Sequence, residues 1–285
     1  MLINSYAKIN LCLDVGRKMP NNYHKINSVF HQIDLHDKIL IKKTKQDRIA
    51  IKSNIKNIEN KDNLAYKAAS LLKNEYKIKE GIEININKRI PLQSGLGGGS
   101  SNAASTLIAL NKLFNLKLNK NELIDLASKI GSDVPFFIEG KTCLVSGIGD
   151  RIKRINSNLK LYLIIIKPKI GISTKLAYNE YDKHIKNTQE IKKENKTKEL
   201  VKALKQKNAE KVAENLHNDF ETVIIKKYPI IKKMKDDLIK NSALNALMSG
   251  SGSAVFGIFK NKSEAENAFR KLGKRYSFVY LSKSF

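Results

Sequence analysis

Apolar and polar positions alternate along this chain in stretches short enough to be strands, and segments with helical spacing separate them. Ile82, Ile84 and Ile86 fall on one face and Glu83, Asn85 and Asn87 on the other, the pattern of a strand with one wet side, and Pro91 ends it. Near the start, KINLCLDV has the apolar enrichment of a strand. After a turn at KMPNNYH, the stretch INSVFHQIDLHDKILIKK resumes extended patterning. LAYKAASLL (64–72) is spaced as a helix, and LQSGLGGGSSNAASTLIALNKLFNL predicts a glycine-rich loop running into an amphipathic helix with small residues in its first turns. NELIDLASKI predicts the next helix, with Gly131 expected as its left-handed C-terminal cap, and GSDVPFF leaves it. The second half reads as a buried strand (LYLIIIKPKIGIS), a polar helical tract around 186–215, a strand-forming end to LNALMSGSGSAVFGIF, a helix through SEAENAFRKL and a strand at SFVYLS. The expectation is an α+β chain of two domains, 1–154 and 155–285, with the last strand free to return to the first domain.

Charge changes this picture less than its size suggests. Lys+Arg 53 against Asp+Glu 27 gives a formal net charge of +26, which attracts phosphate in any form. The lysines travel with Asn and Ile, as in KKENKTKELVKALKQKNAEK, and there is no Trp, no zinc-finger spacing and no RNA-recognition signature. The excess therefore reads as solvated helix faces, and a basic nucleic-acid-binding protein is the alternative from another class. The two cysteines, Cys12 and Cys143, sit in apolar stretches and read as small buried side chains in a reducing compartment. With no basic segment leading into a long apolar one and no run of about 18 apolar residues, a soluble, cytoplasmic protein with no membrane partner is expected.

The segment richest in chemistry is Pro91, Leu92, Gln93, Ser94, Gly95, Leu96, Gly97, Gly98, Gly99, Ser100, Ser101. Successive glycines let an anion approach backbone N–H groups, and a helix opening there presents unpaired donors at the positive end of its dipole. There is no GKS or GKT of a Walker A loop. Ser100 stands where a dinucleotide fingerprint wants Gly, and the VAIK strand of a protein kinase is absent. A tight turn needs only one glycine, so phosphate is the expected guest, and either serine can ligate a magnesium ion that the phosphates hold.

PLQSGLGGGSSNAAS resembles the second motif of the GHMP kinase superfamily, and LMSGSGSAVFGIF is similar to its third. AKINLCLDV with the later NYH, then GSDVPFF and GISTKLAY, follow in that family's order, although Asn102 stands at a place often acidic. The resemblance implies a GHMP-kinase fold, an N-terminal domain like ribosomal protein S5 domain 2 and a ferredoxin-like C-terminal domain, with the active site in the cleft between them. It implies ATP and Mg2+ on the loop 91–101, and phosphorylation of a hydroxyl on a cytidine-diphosphate-linked methylerythritol by a monomer or weak homodimer. Mevalonate or homoserine is the alternative alcohol. By residue type alone, Asp133 is a cap or turn residue, Lys8 an edge lysine reaching for solvent, and Tyr23 and Tyr178 aromatics on the surface of a core. The resemblance makes Asp133 the catalytic base, places Lys8 beside it and puts Asn10 on the substrate. Tyr23 and Tyr178 become a cytosine clamp whose polar edge the His24 segment and Thr174 read. His31, His36, His184 and His217 show no metal-ligand spacing.

Overall fold

The computed structural model describes residues 1–20, 22–188 and 196–283. Of the polar tract expected around 186–215, residues 189–195 lie outside the described residues, as does Asn21 of the first turn. The chain forms two compact units, one of Met1–Ala7, Leu35–Pro91 and Gly97–Gly140, the other of Lys8–Asp34, Leu92–Leu96 and the described chain from Lys141 onward. The division is discontinuous because strands β1 (Leu2–Lys18) and β2 (His24–Thr44) each contribute one end to either unit. The boundary expected near Arg154 falls within the second unit. No helix among the described residues is long and apolar enough to cross a membrane.

In the first unit, β3 (Ile49–Ser53) is followed by α1 (Leu64–Glu75), β4 (Gly81–Asn87), α2 (Gly98–Leu113), α3 (Lys120–Ser128) and α4 (Val134–Glu139). The alternation in β4 is realised: it runs antiparallel to β2 with Ile84 opposite Ile41 and Ile86 opposite Ile39, and these isoleucines are buried. Helix α1 starts at Asn63, whose side chain accepts from the Ala65 N–H, and it lays Ala65, Ala68, Ala69 and Leu72 inward against α2. Helix α2 buries almost nothing larger than Ala, Ser or Thr apart from Leu107 and Leu110, which permits that close packing. Helix α3 has the capping box Asn119/Glu122, but its end differs from expectation. Lys129 is right-handed and Gly131 is not left-handed; the last turn tightens through Lys129 N–H to Leu126 O (3.2 Å) and Ile130 N–H to Ala127 O (3.1 Å), so no left-handed cap is needed.

In the second unit, β5 (Thr142–Gly147) pairs with β2 and with β6 (Arg151–Arg154). There follow β7 (Tyr162–Ile166), α5 (Thr174–Thr188), α6 (Lys196–Lys205), α7 (Ala209–Glu214), β8 (His217–Asn218), α8 (Glu221–Lys227), α9 (Pro229–Lys240), β9 (Asn245–Met248), β10 (Val255–Phe259), α10 (Lys262–Leu272) and β11 (Val279–Lys283). Strands β7, β9, β10 and β11 form one antiparallel sheet in the order β11-β7-β10-β9, the ferredoxin-like arrangement. The last strand thus stays with β7, Tyr280 opposite Ile165, and does not return to the first strands. Both cysteines are free and buried, and burial pushes the Cys12 thiol up to about 12.

One buried network organises the first unit. The Asp37 carboxylate is fully buried and accepts from Lys88 Nζ, from the backbone N–H groups of Arg89 (2.7 Å) and Ile90 (2.8 Å), and from Asn102 Nδ2 (2.8 Å). Asn102 Nδ2 also donates to Ser5 Oγ at 2.9 Å, and Ser101 Oγ lies 2.7 Å from the same hydroxyl and donates to Tyr6 O at 2.6 Å. An acidic residue at 102 would face Asp37, so an amide there fits the site. In the second unit, His217 lies 2.6 Å from Asp14 Oδ1 through Nε2 and 3.0 Å from Asn215 O through Nδ1. Neither partner can donate, so both bonds form only when the ring is a cation. Burial opposes that cation, but the two hydrogen bonds and the nearby Asp14 and Asp219 charges outweigh it and raise the His217 pKa. Asp14 is lowered because the hydrogen bonds from His217, Thr197 and Asn27 outweigh its burial.

Asp37→Ala strands a buried ammonium and is expected to cost about 3–5 kcal/mol in urea unfolding. For the second pair the folded pKa of His217 lies above its unfolded value near 6.5, so its contribution is complete below that pH and is lost as pH rises through the folded pKa. The stability gap between the wild type and His217→Gln should therefore be larger at pH 6 than at pH 9, while Asp14, held below the usual carboxylate range, stays ionised at both. Equal gaps would show that the cation is not what stabilises the pair.

Candidate active site

The glycine loop is built from backbone conformations that side chains resist. Gln93 (φ 49°), Gly95 (75°) and Gly97 (69°) are left-handed at alternate positions, and Gly97 is the N-cap of α2. A Cβ on Gly95 would sit 1.9 Å from Ser249 O, and one on Gly98 would sit 2.6 Å from Lys88 Nζ. The loop therefore turns into α2 with its first-turn N–H groups unused by the helix, which suits an anion.

A second glycine turn braces the first. In SGSGS (249–253), Gly250 (φ 55°) and Gly252 (86°) are left-handed. Ser249 Oγ donates to Gly95 O at 3.0 Å, the Ala254 N–H donates to Ser94 O at 3.0 Å, and the Asn218 amide holds Met248 O and Gly250 O, both at 2.8 Å. The two motifs, 154 positions apart at Gly95 and Ser249, form one hydrogen-bonded assembly. On the neighbouring backbone the Lys8 N–H donates to Leu96 O at 3.0 Å.

Lys8 does not reach for solvent. It is buried, its Nζ donates to Asn10 Oδ1 at 2.6 Å and lies 4.3 Å from the Phe30 ring centre. Asn10 is fixed from behind, with its Nδ2 donating to Ser28 Oγ at 3.0 Å and its N–H to Ser249 Oγ at 3.3 Å, and Ser28 Oγ donates to Cys12 O. Asp133 belongs to the first unit, at the N-cap position of α4, half-buried. Its side chain makes no capping hydrogen bond, so capping does not explain it. Pro91 and Gly97 to Ser101 also belong to the first unit, whereas Leu92 to Leu96, Lys8, Asn10, Tyr23, His24, Thr174 and Tyr178 belong to the second.

The aromatic residues gather around α5. The His24 imidazole stacks on Tyr178 (centres 4.6 Å apart, 24° between planes), and Phe220 meets the same tyrosine edge-on at 4.9 Å. His24 Nε2 lies 2.7 Å from Asp182 Oδ1. Tyr23 is 57% exposed, and Thr174 Oγ1 lies 3.2 Å from Ser251 Oγ. One face of Tyr178 is thus occupied by His24. Asn218, Ser28 and Asp182 escaped the sequence reading because each acts across more than 15 positions and belongs to no local pattern. The SGSGS turn carried a visible signal, its glycines.

A glycine loop that leads into a helix N-terminus offers backbone donors to an anion, and the comparisons give the class, that of a small-molecule kinase. The model of the GHMP kinases N terminal domain matches residues 63–141, and that of the GHMP kinases C terminal matches residues 200–277. The chain belongs to the GHMP kinases. A protein of Caldicellulosiruptor saccharolyticus named 4-diphosphocytidyl-2-C-methyl-D-erythritol kinase is 43% identical over 274 residues, covering 95% of this chain and 92% of its own. A protein of the same name from Clostridium tetani is 41% identical, with both chains covered completely. Among solved structures, a 4-(cytidine 5'-diphospho)-2C-methyl-D-erythritol kinase superposes with a TM-score of 0.84 at 26% identity over the whole of both chains. A homoserine kinase from Cytophaga hutchinsonii shares the fold, with a TM-score of 0.80 at 20% identity over 100% of this chain and 94% of its own.

Replacing Gly95 by Ala adds a Cβ against a backbone carbonyl at a positive φ, and the left-handed conformation alone costs about 1–2 kcal/mol. A drop in melting temperature and a raised KM for ATP are expected. Gly99→Ala, whose Cβ would meet only Leu64 Cδ1 at 3.7 Å within a helix, should melt no lower than the wild type.

Proposed function

We propose that this GHMP kinase transfers the terminal phosphoryl group of ATP to the 2-hydroxyl of 4-diphosphocytidyl-2-C-methyl-D-erythritol, in the cytoplasm and as a monomer or weak homodimer, in non-mevalonate isoprenoid precursor synthesis. The observation that carries the substrate is the His24–Tyr178 stack, a ring-lined feature in the same unit as Lys8 and Asn10. Mevalonate and homoserine offer no ring to stack. The names of the relatives that cover nearly the whole chain point the same way.

In this reading the loop 91–101 cradles the nucleotide phosphates with backbone donors. Asp133 accepts the proton of the substrate hydroxyl as it attacks, and the Lys8 ammonium balances charge on the transferring group while Asn10 orients the alcohol. Lys8 suits that task because burial and its bond to Asn10 leave its ammonium little conformational entropy to lose. Tyr178 and Tyr23 supply stacking surface, worth on the order of 1–3 kcal/mol per base, and Thr174 and His24 supply polar contacts. Among the described residues no group of three or more His, Cys, Asp or Glu side chains can hold a metal ion; in this reading the nucleotide's own phosphates are the main ligands of Mg2+. Ser101 is committed to Tyr6 O and Ser5, so Ser100, half-exposed in the first turn of α2, is the hydroxyl we assign to that ion. When bound, the ion neutralises phosphate charge.

The deciding experiment offers ATP with 4-diphosphocytidyl-2-C-methyl-D-erythritol, mevalonate and homoserine separately and counts ADP; turnover of only the first is expected. Asp133→Asn should lower kcat by about 10²–10⁴ while both substrates still bind. Near-normal turnover by a folded Asp133→Asn would remove it from the role of base.

A further inference from the structure

We propose that Asp182 is a positioning residue that fixes the orientation and proton placement of His24, so that the imidazole presents an acceptor to the base of the nucleotide-linked substrate and selects cytosine over uracil. The substrate half of this rests on the function proposed above. Tyr178 and Asp182 are four residues apart on α5, hence on one face of the helix, and each takes a different feature of the same ring. Tyr178 sets its plane, 24° from its own, and Asp182 Oδ1 takes Nε2 at 2.7 Å, so rotation about both axes is fixed. The His24 side chain is only 4% exposed.

Helix α5 is itself pinned at this point. Tyr181, adjacent to Asp182, is buried and its hydroxyl donates to Val15 O at 2.8 Å, so the helix turn that carries the carboxylate cannot shift without breaking a buried hydrogen bond. The second carboxylate oxygen lies 4.0 Å from Lys18 Nζ, and both residues, with Arg17 and Tyr181, help to line a cavity of about 560 Å³.

The chemistry follows from donor and acceptor counts. A carboxylate only accepts, so in the neutral ring the proton must sit on Nε2 and the lone pair on Nδ1. Among the described residues, Nδ1 has no hydrogen-bond partner, and it is not enclosed as a buried unsatisfied atom. An acceptor there matches the exocyclic amino group of cytosine and opposes the carbonyl oxygen that uracil carries at the same position. A site built to hydrogen-bond a substrate N–H rejects an analogue that cannot supply it.

The test combines a spectroscopic readout with kinetics. Nitrogen-15 shifts of His24 in the folded wild type should report a proton on Nε2 and a bare Nδ1, and in Asp182→Ala a mixture of tautomers. With ATP, the ratio of kcat/KM for the cytidine-linked over the uridine-linked substrate should fall by about 10- to 100-fold in Asp182→Ala, by analogy with the loss of activity when the partner that orients a metal-bound histidine is removed. The loss should fall mainly on KM for the cytidine substrate, and Asp182→Glu should recover part of it. An unchanged ratio in a folded Asp182→Ala, or a wild-type His24 carrying its proton on Nδ1 or on both nitrogens, would overturn the proposal. Should Asp182→Ala not fold, the wild-type spectrum and the Asp182→Asn ratio decide in its place. Failure of the wild type to phosphorylate the cytidine-linked substrate would overturn the proposed function, and the spectrum would still judge the pairing of Asp182 with His24.

Discussion

The segment that leads into the glycine loop is held by one carboxylate. Asp37 gathers a buried ammonium, two backbone N–H groups just after β4 and an amide from the second turn of α2, and in doing so fixes the direction in which the chain leaves the sheet and the height at which the helix begins. A charge in that position is costly to bury, and only the full set of partners makes it tolerable. Once it is in place, the contact of Gly98 with Lys88, the turn of Ser101 toward Tyr6 and the close approach of α1 to α2 all follow from geometry that has no slack.

Lysine shows how burial, rather than residue type, separates chemistry from background. The chain carries 53 basic residues, yet among the described lysines only Lys8 and Lys88 are buried. One leans on an aromatic ring and an amide, the other on a carboxylate, so the two differ in the chemistry open to them. Lys88 is held by a carboxylate inside the first unit, whereas Lys8 donates to the amide oxygen of Asn10 and lies over the Phe30 ring in the second. The others carry most of the net charge of +26.

Much of this was legible in the amino-acid sequence because it is encoded locally. The alternation of β4, the helical spacing of α1 and α3, and the two glycine motifs each announce themselves within about ten residues, and the order of short motifs gave the family. Long-range pairing gave no such signal. Nothing in the neighbourhood of Asn218 says that its amide will hold the turn at 248–250, and nothing around Asp182 says that it will meet His24, because those partners are chosen by topology. Asp133 is a third kind of case: its position just before VPFF was plain, and it lies in the turn ahead of α4, as its residue type suggests, without a capping bond. Gly131 failed as a left-handed cap because the helix closed by tightening instead.

The bracing of one glycine turn by another has a consequence for how the chain is made. Gly95 takes its shape against a carbonyl 154 positions further on, so at a synthesis rate of roughly 5–20 residues per second the loop waits about 8 to 30 seconds on the ribosome before its brace exists. Through that interval the loop lacks the carbonyl and the hydroxyl that hold its shape, and it receives them only with the turn between the strands either side of residue 250.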